Sequence, residues 1–195
     1  IAFTPTVKAI QTKRGSRSAY ARMEAQGGFR TIIDERLITM LAEVNSAYLG
    51  TASADGQPYI QHRGGPRGFI RVLDERTLGF ADFAGNRQYV STGNLADNPK
   101  AFLFLMDYAR RARIKIWGTA RFTDDPAVIA QLMPEGYRAQ AEAALLFDIA
   151  AWDINCPQHI PLKFDADQVA ATLAERDAEI ARLKTENARL KGTKA

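Results

Sequence analysis

At Tyr48 the hydrophobic period of this chain changes, and that change limits what it can fold into. Before it, apolar residues recur at helical spacing: Leu37, Met40, Leu41 and Val44 lie on one face of DERLITMLAEVNSAY. Beyond it come short runs of strand-forming residues separated by turn residues. Tyr48–Ser53 and Pro58–His62 flank Ala54-Asp55-Gly56-Gln57, and Asp-Gly between such runs predicts a hairpin. Gly68–Leu73 and Leu78–Phe83 flank the turn Asp74–Thr77 and predict a second one. Ala101–Asp107 (AFLFLMD) is apolar at consecutive positions, which predicts a central strand buried on both faces. Arg113–Phe122 alternates and pairs with it, and Ala144–Ile154 returns as a final strand. Six or seven antiparallel strands with few long helices between them predict a small barrel. The fold class is mainly β with flanking helices (α+β). Closing the sheet would remove its exposed edges.

Helical pieces frame that barrel. Val7, Ile10, Tyr20 and Met23 have helical spacing, and Gly15 interrupts them, so two short pieces or one weakened helix are expected. Asp34 is placed to cap the helix that follows, with Glu35 in its first turn. Asn86–Asn98 predicts a short helix closing at Asn98-Pro99. Ala127–Met133 predicts a brief one after Pro126. Three segments result: an N-terminal helical segment 1–47 packed on the barrel, the barrel itself 48–164, and a C-terminal helix 165–195.

That C-terminal helix has heptad character. With Ile180 at position a, Ala166, Leu173 and Asn187 share that position, and Val169, Arg176, Leu183 and Leu190 fall at d. Glu179 and Glu186 at g precede Lys184 and Lys191 at e, so charges match in a parallel, in-register pair. A single Asn at a favours a two-stranded register. The expectation is a parallel homodimeric coiled coil. Arg176 at d and a length under four heptads leave an alternative, a solvated amphipathic helix lying on its own domain. So short a zipper is marginal alone, and a dimer of the main domain should support it.

Composition narrows the function. At 195 residues, 46% hydrophobic and 25% charged, the chain holds one domain with a core plus an appendage. No apolar run approaches the roughly 20 residues of a membrane span, and residues 1–17 hold no stretch of signal-peptide length. A cytoplasmic protein is expected, and a lone Cys156 agrees with a reducing compartment. The net charge of +4 is scattered apart from Arg110-Arg111-Ala112-Arg113, with no interleaved aromatics, so nucleic acid is not the expected partner. Two histidines, His62 and His159, and one cysteine supply too few ligands for a zinc site. Neither a G-x-S-x-G elbow nor a G-x-x-x-x-G-K-S/T loop is present.

The stretch from Gln61 to Asn98 concentrates arginine and glycine. A phosphate monoester carries nearly two negative charges, and arginine offers it a planar fork of donors. Arg71 sits on a strand, and Arg87 follows Gly85-Asn86 where a helix is expected to begin. A helix start presents free N–H groups and a positive dipole end. Arg71 and Arg87 are therefore candidates to meet one phosphate, with Asn86 capping the helix or donating to the same group. Surface ion pairs are the alternative for each arginine. His62, Arg63, Ala81, Asp82 and Phe83 are candidate walls for a flat ring, and Gly64-Gly65 would let backbone approach it. His62 has no visible partner as a general base, and a packed or solvated histidine is the simpler reading.

These segments together resemble the pyridoxamine 5'-phosphate oxidase-like family of FMN-binding split-barrel proteins. The resemblance runs over roughly Tyr48 to Phe122. It is carried by GFIRVLDERTLGFADF, then G-N-R-Q, then NPKAFLFLMD and RIKIWGTARF, with QHRGGP and WDINCPQHIP marking an FMN-binding subfamily. The resemblance implies FMN as cofactor, with deazaflavin and FAD as alternatives. It implies that Arg71, Asn86 and Arg87 hold the phosphate, with Gln88 in place of a commonly basic neighbour. Ala81 and Asp82 would line the ring and ribityl chain, and His62 and Arg63 would lie against the isoalloxazine. Arg113, with Lys115 on the same face, would reach the flavin from the other subunit. The implied assembly is a homodimer with its cofactor sites at the interface.

The end of the chain departs from that family's pattern. Where the oxidases carry an arginine that helps hold the substrate phosphate, this chain has WDINCPQHIP and then a charged helix. Vitamin B6 oxidation is therefore not expected. Trp152, Cys156 and His159 either cover the flavin or pack a C-terminal crossing, the latter slightly favoured. The expected activity is flavin redox on a small substrate, with a nicotinamide nucleotide as candidate donor and no side chain required as acid or base. Arg63 or Arg113 would stabilise negative charge on the ring. The alternatives are a non-catalytic flavin- or haem-binding sensor dimer and a structural interaction protein without cofactor.

Overall fold

The computed structural model of the chain describes residues 1–155 and 158–192. Three helices come first: α1 (Pro5–Arg14), α2 (Arg17–Ala25) and α3 (Glu35–Glu43). The strands are β1 (Ser46–Ala52), β2 (Pro58–Gly64), β3 (Arg71–Val72), β4 (Thr77–Phe83), β5 (Lys100–Asp107), β6 (Ala112–Thr123) and β7 (Ala141–Asn155). Helix α4 (Val90–Asp97) lies between β4 and β5, and α5 (Pro126–Leu132) between β6 and β7. Helix α6 (Ala166–Gly192) closes the chain.

Local signals explain most of these bounds. Gly15 ends α1 in the left-handed conformation at φ 79°, so the N-terminal region splits into two pieces. The Asp34 carboxylate accepts from the Leu37 N–H and starts α3. Gly56 takes φ 93° in the turn between β1 and β2.

All strands pair antiparallel in one sheet, ordered β2-β1-β5-β6-β7-β4-β3. The seven strands do not close by hydrogen bonds, because β2 and β3 remain as edges. This is the split barrel that the family resemblance implies, with its edges left unpaired. Strand β7 serves both halves, with β6 along one side and β4 along the other. The β6–β7 register shifts at Trp117/Gly118, and a Cβ on Gly118 would stand 2.1 Å from the Asp148 carbonyl oxygen. Only glycine permits that approach.

The barrel core holds Leu37 and Leu41 of α3 against Leu49, Phe80, Leu103 and Ile116, each at most 1% exposed. Burying each such side chain contributes about 1.5–3 kcal/mol. A smaller cluster of Ala81, Leu132 and Ala144 seats α5 behind β4.

The other face of β5 corrects the expectation of a strand buried on both sides. Phe102 and Phe104 are only half-buried there, while Leu103 and Leu105 point inward. Strand register lines up His62, Tyr48, Phe104, Lys115 and Asp153 across this outward face. Phe102 meets the Trp117 ring at 5.3 Å, and Trp117 in turn meets Phe29 at 5.2 Å. Gly65 makes room for Phe69, whose Cβ would lie 2.8 Å from an added Cβ, so here glycine serves packing. No helix among the described residues is long and apolar enough to cross a membrane.

Candidate functional site

Strand β2 ends at one edge of the split sheet and β4 lies beside the other. Arg63 of β2 spans the gap to an ion pair with Asp82 of β4. Its second amino group donates to Gln61 Oε1 at 2.9 Å, and Ser91 Oγ donates to the same oxygen at 2.8 Å. The guanidinium lies 5.7 Å from the centroid of the Phe122 ring. Arg63 Nε is buried and finds no hydrogen-bond partner among the described residues. Burial lowers the Arg63 pKa, with Asp82 opposing that shift. Burial likewise raises the Asp82 carboxyl above its ordinary 3.8, and nearby Glu142 adds to the rise while Arg63 opposes it.

Next to this pair, residues 84–89 form a loop rather than the expected helix start. Helix α4 begins at Val90, not Asn86. Arg87 and Tyr89 both take left-handed backbone, with φ of 57° and 52°. Such conformations cost non-glycine residues about 1–3 kcal/mol each and cluster at functional sites. Asn86 does not cap the helix; its Oδ1 accepts from the Gln88 N–H at 3.3 Å. The N-cap of α4 is Tyr89, whose side chain accepts no capping bond. The helix N-terminus is therefore open toward a cleft lined by Asn86, Arg87, Gln88, Ser91 and Thr92. Arg87 pairs across this cleft with Glu142 of β7 at 3.0 Å.

The candidate residues occupy three places. Arg63, Asp82, Asn86, Arg87 and Gln88 share the cleft. Arg71 stands opposite Gly79, whose missing side chain faces Leu132, so Arg71 projects from the α5 side and does not line the cleft. Ala81 faces α5 as well and is 4% exposed. His62 and Lys115 lie on the outward sheet face, His62 against Tyr48 at 5.7 Å between rings. Lys115 reaches Asp153 at 3.5 Å, and its ammonium lies 5.2 Å from the Trp117 ring centroid. Arg113 sits two positions before Lys115, opposite Met106. Phe83 lines the cleft and also meets Tyr137 at 5.2 Å.

Trp152 packs the crossing: it is fully buried and donates to the Ile32 carbonyl at 2.8 Å. His159 is exposed in a turn at φ 60°. Cys156 lies outside the described residues. Sequence reasoning overlooked Ser91 and Thr92 because it placed the helix start too early, and Glu142 because β7 meets the cleft only in the folded sheet. Asn86 carried the missing signal, since asparagine favours turns in which its side chain binds backbone two residues on.

Residues 33–156, more than half of the chain, match the family profile described as pyridoxamine 5'-phosphate oxidase. Among solved structures, a single-residue variant of HupZ from Group A Streptococcus is 21% identical, with a TM-score of 0.51 over 63% of this chain and 99% of that one. HupZ without that substitution is 20% identical, with a TM-score of 0.50 over 68% and 100%. An FMN-binding protein from Syntrophomonas wolfei is 11% identical, with a TM-score of 0.49 over 74% and 97%. At these identities the likeness concerns the fold alone. A search of curated protein sequences gives no significant match.

Proposed function

The chain belongs to the pyridoxamine 5'-phosphate oxidase family, and from that premise we propose that it is a homodimeric FMN-dependent oxidoreductase acting on a small molecule. The observation that carries this reading is the open N-terminus of α4, facing a cleft that also holds Arg87 and the Arg63–Asp82 pair.

The cleft residues fit a phosphate monoester. Free N–H groups and the helix dipole favour an anion at the start of α4. Arg87 is mostly exposed and turns from Glu142 to a phosphate by side-chain rotation alone. Asn86 and Gln88 add neutral donors. Arg63 lines the cleft as well, its amino groups held by Asp82 and Gln61 and its Nε left without a partner among the described residues. Arg71 stands outside this group, so the phosphate grip rests on Arg87 and the helix start.

Within one chain the cleft encloses only ≈ 50 Å³, against about 300–1,000 Å³ for sites that enclose a drug-sized ligand. That volume suits the phosphate, and the ring needs further walls. The aromatic outward sheet face supports a second copy as their source, with Arg113 and Lys115 on that face.

When bound, FMN supplies the redox chemistry. The chain binds it, orients it and excludes water. Asp82 is engaged by Arg63, so it is not free as an acid or base, and Glu142 is held by Arg87 until the phosphate takes that arginine. The same observation favours a second reading, a flavin binder without turnover. Neither histidine lines the cleft, so haem would find no axial histidine there.

The absorbance spectrum of the purified protein, with mass analysis of whatever is released, tests the cofactor. Arg87→Ala should weaken FMN binding by about 1.5–3 kcal/mol, the scale of a charge-assisted contact. Unchanged affinity would sink the phosphate assignment. Bleaching of bound flavin by a nicotinamide nucleotide supports the oxidoreductase; a bound flavin that such donors leave oxidised supports the binder.

A further inference from the structure

Among the described residues, helix α6 buries none of its side chains. Val169, Leu173, Ile180, Leu183 and Leu190 are 43–58% exposed, although they form one stripe. A helix lying on its own domain would bury that stripe, so the solvated alternative loses its main support. The root of the helix is nevertheless tied down. Asp165 accepts from Asn45 Nδ2 at 2.9 Å and pairs with Arg67, which also donates to the Glu43 carbonyl at 3.0 Å. The Asp165 carbonyl accepts from the Val169 N–H at 3.2 Å in the first turn. The apolar stripe thus leaves the barrel from a fixed point.

We propose that α6 pairs in parallel and in register with α6 of a second copy, forming a two-stranded stalk in which Arg176 meets the partner's Asp177. Charge selects the orientation. In a parallel pair, Glu179 and Glu186 at g face the partner's Lys184 and Lys191 at e. An antiparallel pair would set g beside g, placing Glu179 and Glu186 against glutamates of the partner. Asn187 meets its own equivalent only in the parallel register, where the two amides satisfy each other.

Arg176 is the one charged residue of the seam, and its surroundings match it. A knob at d lies beside the partner's e position. The e residue of that heptad is Asp177, whereas the next two heptads carry Lys184 and Lys191 there. The g residue that would face Asp177 is Thr172, not glutamate, so no like charge opposes it. The sign of the flank therefore reverses at the heptad where the seam carries a cation. Arg182, at position c, already holds Glu179 at 2.8 Å and Glu186 at 3.2 Å along the flank of its own helix. The stalk depends on neither the flavin nor Arg87, so its failure and that of the cofactor reading are told apart.

Disulfide trapping in the full chain tests it, each variant carrying Cys156→Ser so that the introduced thiol is the only one. Leu173→Cys and Ile180→Cys, both at a, should each link to their own equivalent about tenfold faster than Arg182→Cys on the outer face, because only seam thiols share a high effective concentration. Rates no faster than the Arg182→Cys control would overturn the stalk. Linking at only one of the two seam positions would overturn the parallel register. Adding Asp177→Lys to Ile180→Cys should slow linking severalfold, and the charge swap Arg176→Asp with Asp177→Arg should restore it. An unchanged rate in Asp177→Lys would overturn the Arg176–Asp177 contact. The substitutions within α6 lie on exposed helix, Cys156→Ser alone serves as the reference, and far-UV circular dichroism checks that the barrel remains folded.

Discussion

Arg63 is a long cation held at the mouth of a barrel whose edges do not hydrogen-bond to each other. Its partner Asp82 stands across that split, and both side chains are at most 20% exposed. Removing one member leaves the other buried without a counter-charge, which costs more than the pair contributes. Asp82→Ala should therefore lower stability by about 2–3 kcal/mol in urea denaturation at pH 7. Replacing both residues by leucine should cost less than either single change. The pair also gives a pH signature. Burial raises the folded-state pKa of Asp82 above its ordinary 3.8, so the folded chain binds that proton more tightly. Its contribution to stability is fully present below the unfolded value and is lost as pH rises through the raised one. Asp82→Asn removes this titration, so wild-type stability relative to the variant should fall as pH rises above 4. A difference that grows with pH would contradict the burial argument.

At the scale of elements, two glycines make opposite forecasts. Gly118 sits where β6 and β7 shift register, and its backbone touches the Asp148 carbonyl too closely for any side chain. Gly118→Ala should cost about 3 kcal/mol, the upper end of overpacking, read as a lowered denaturation midpoint. Gly93 lies inside α4 with nothing within 4 Å of an added Cβ. Gly93→Ala should stabilise by about 0.4–1 kcal/mol by restricting the unfolded chain. The loop before α4 works the other way. Left-handed Arg87 and Tyr89 store strain, and their contacts to distant strands hold it: Glu142 of β7 grips Arg87, while Gln61 of β2 takes the Ser91 hydroxyl. Nothing within residues 84–89 announces those partners.

For the whole molecule, the proposed homodimer is what would complete the site. The outward face runs through Tyr48, Phe104 and Lys115 in strand register. A carboxylate at its centre would be desolvated if a second barrel covered it. Phe104→Asp should therefore shift the barrel toward monomer in light scattering and weaken flavin binding along with it. A dimer of unchanged mass and flavin affinity would show that the barrels meet by another face.

Hydrophobic period, turn chemistry and caps act within a few residues, and they were legible in the chain. Gly15 split the first helix, Asp34 started α3, Asp55-Gly56 turned the first hairpin, and the heptads of α6 stood apart from the barrel. The family resemblance was legible for the same reason, being carried by such short runs. What the tertiary structure alone decided were contacts between the ends of the sheet. The strand order brings β2 and β4 to opposite sides of one split, and only there do Arg63 and Asp82 meet. The same folding turned Arg71 and Ala81 toward α5 and moved the helix start from Asn86 to Val90. Burial and ion pairing over long sequence separations decided the side-chain placements, which no pattern within a few neighbours records; the later helix start alone had a local signal, the turn preference of Asn86.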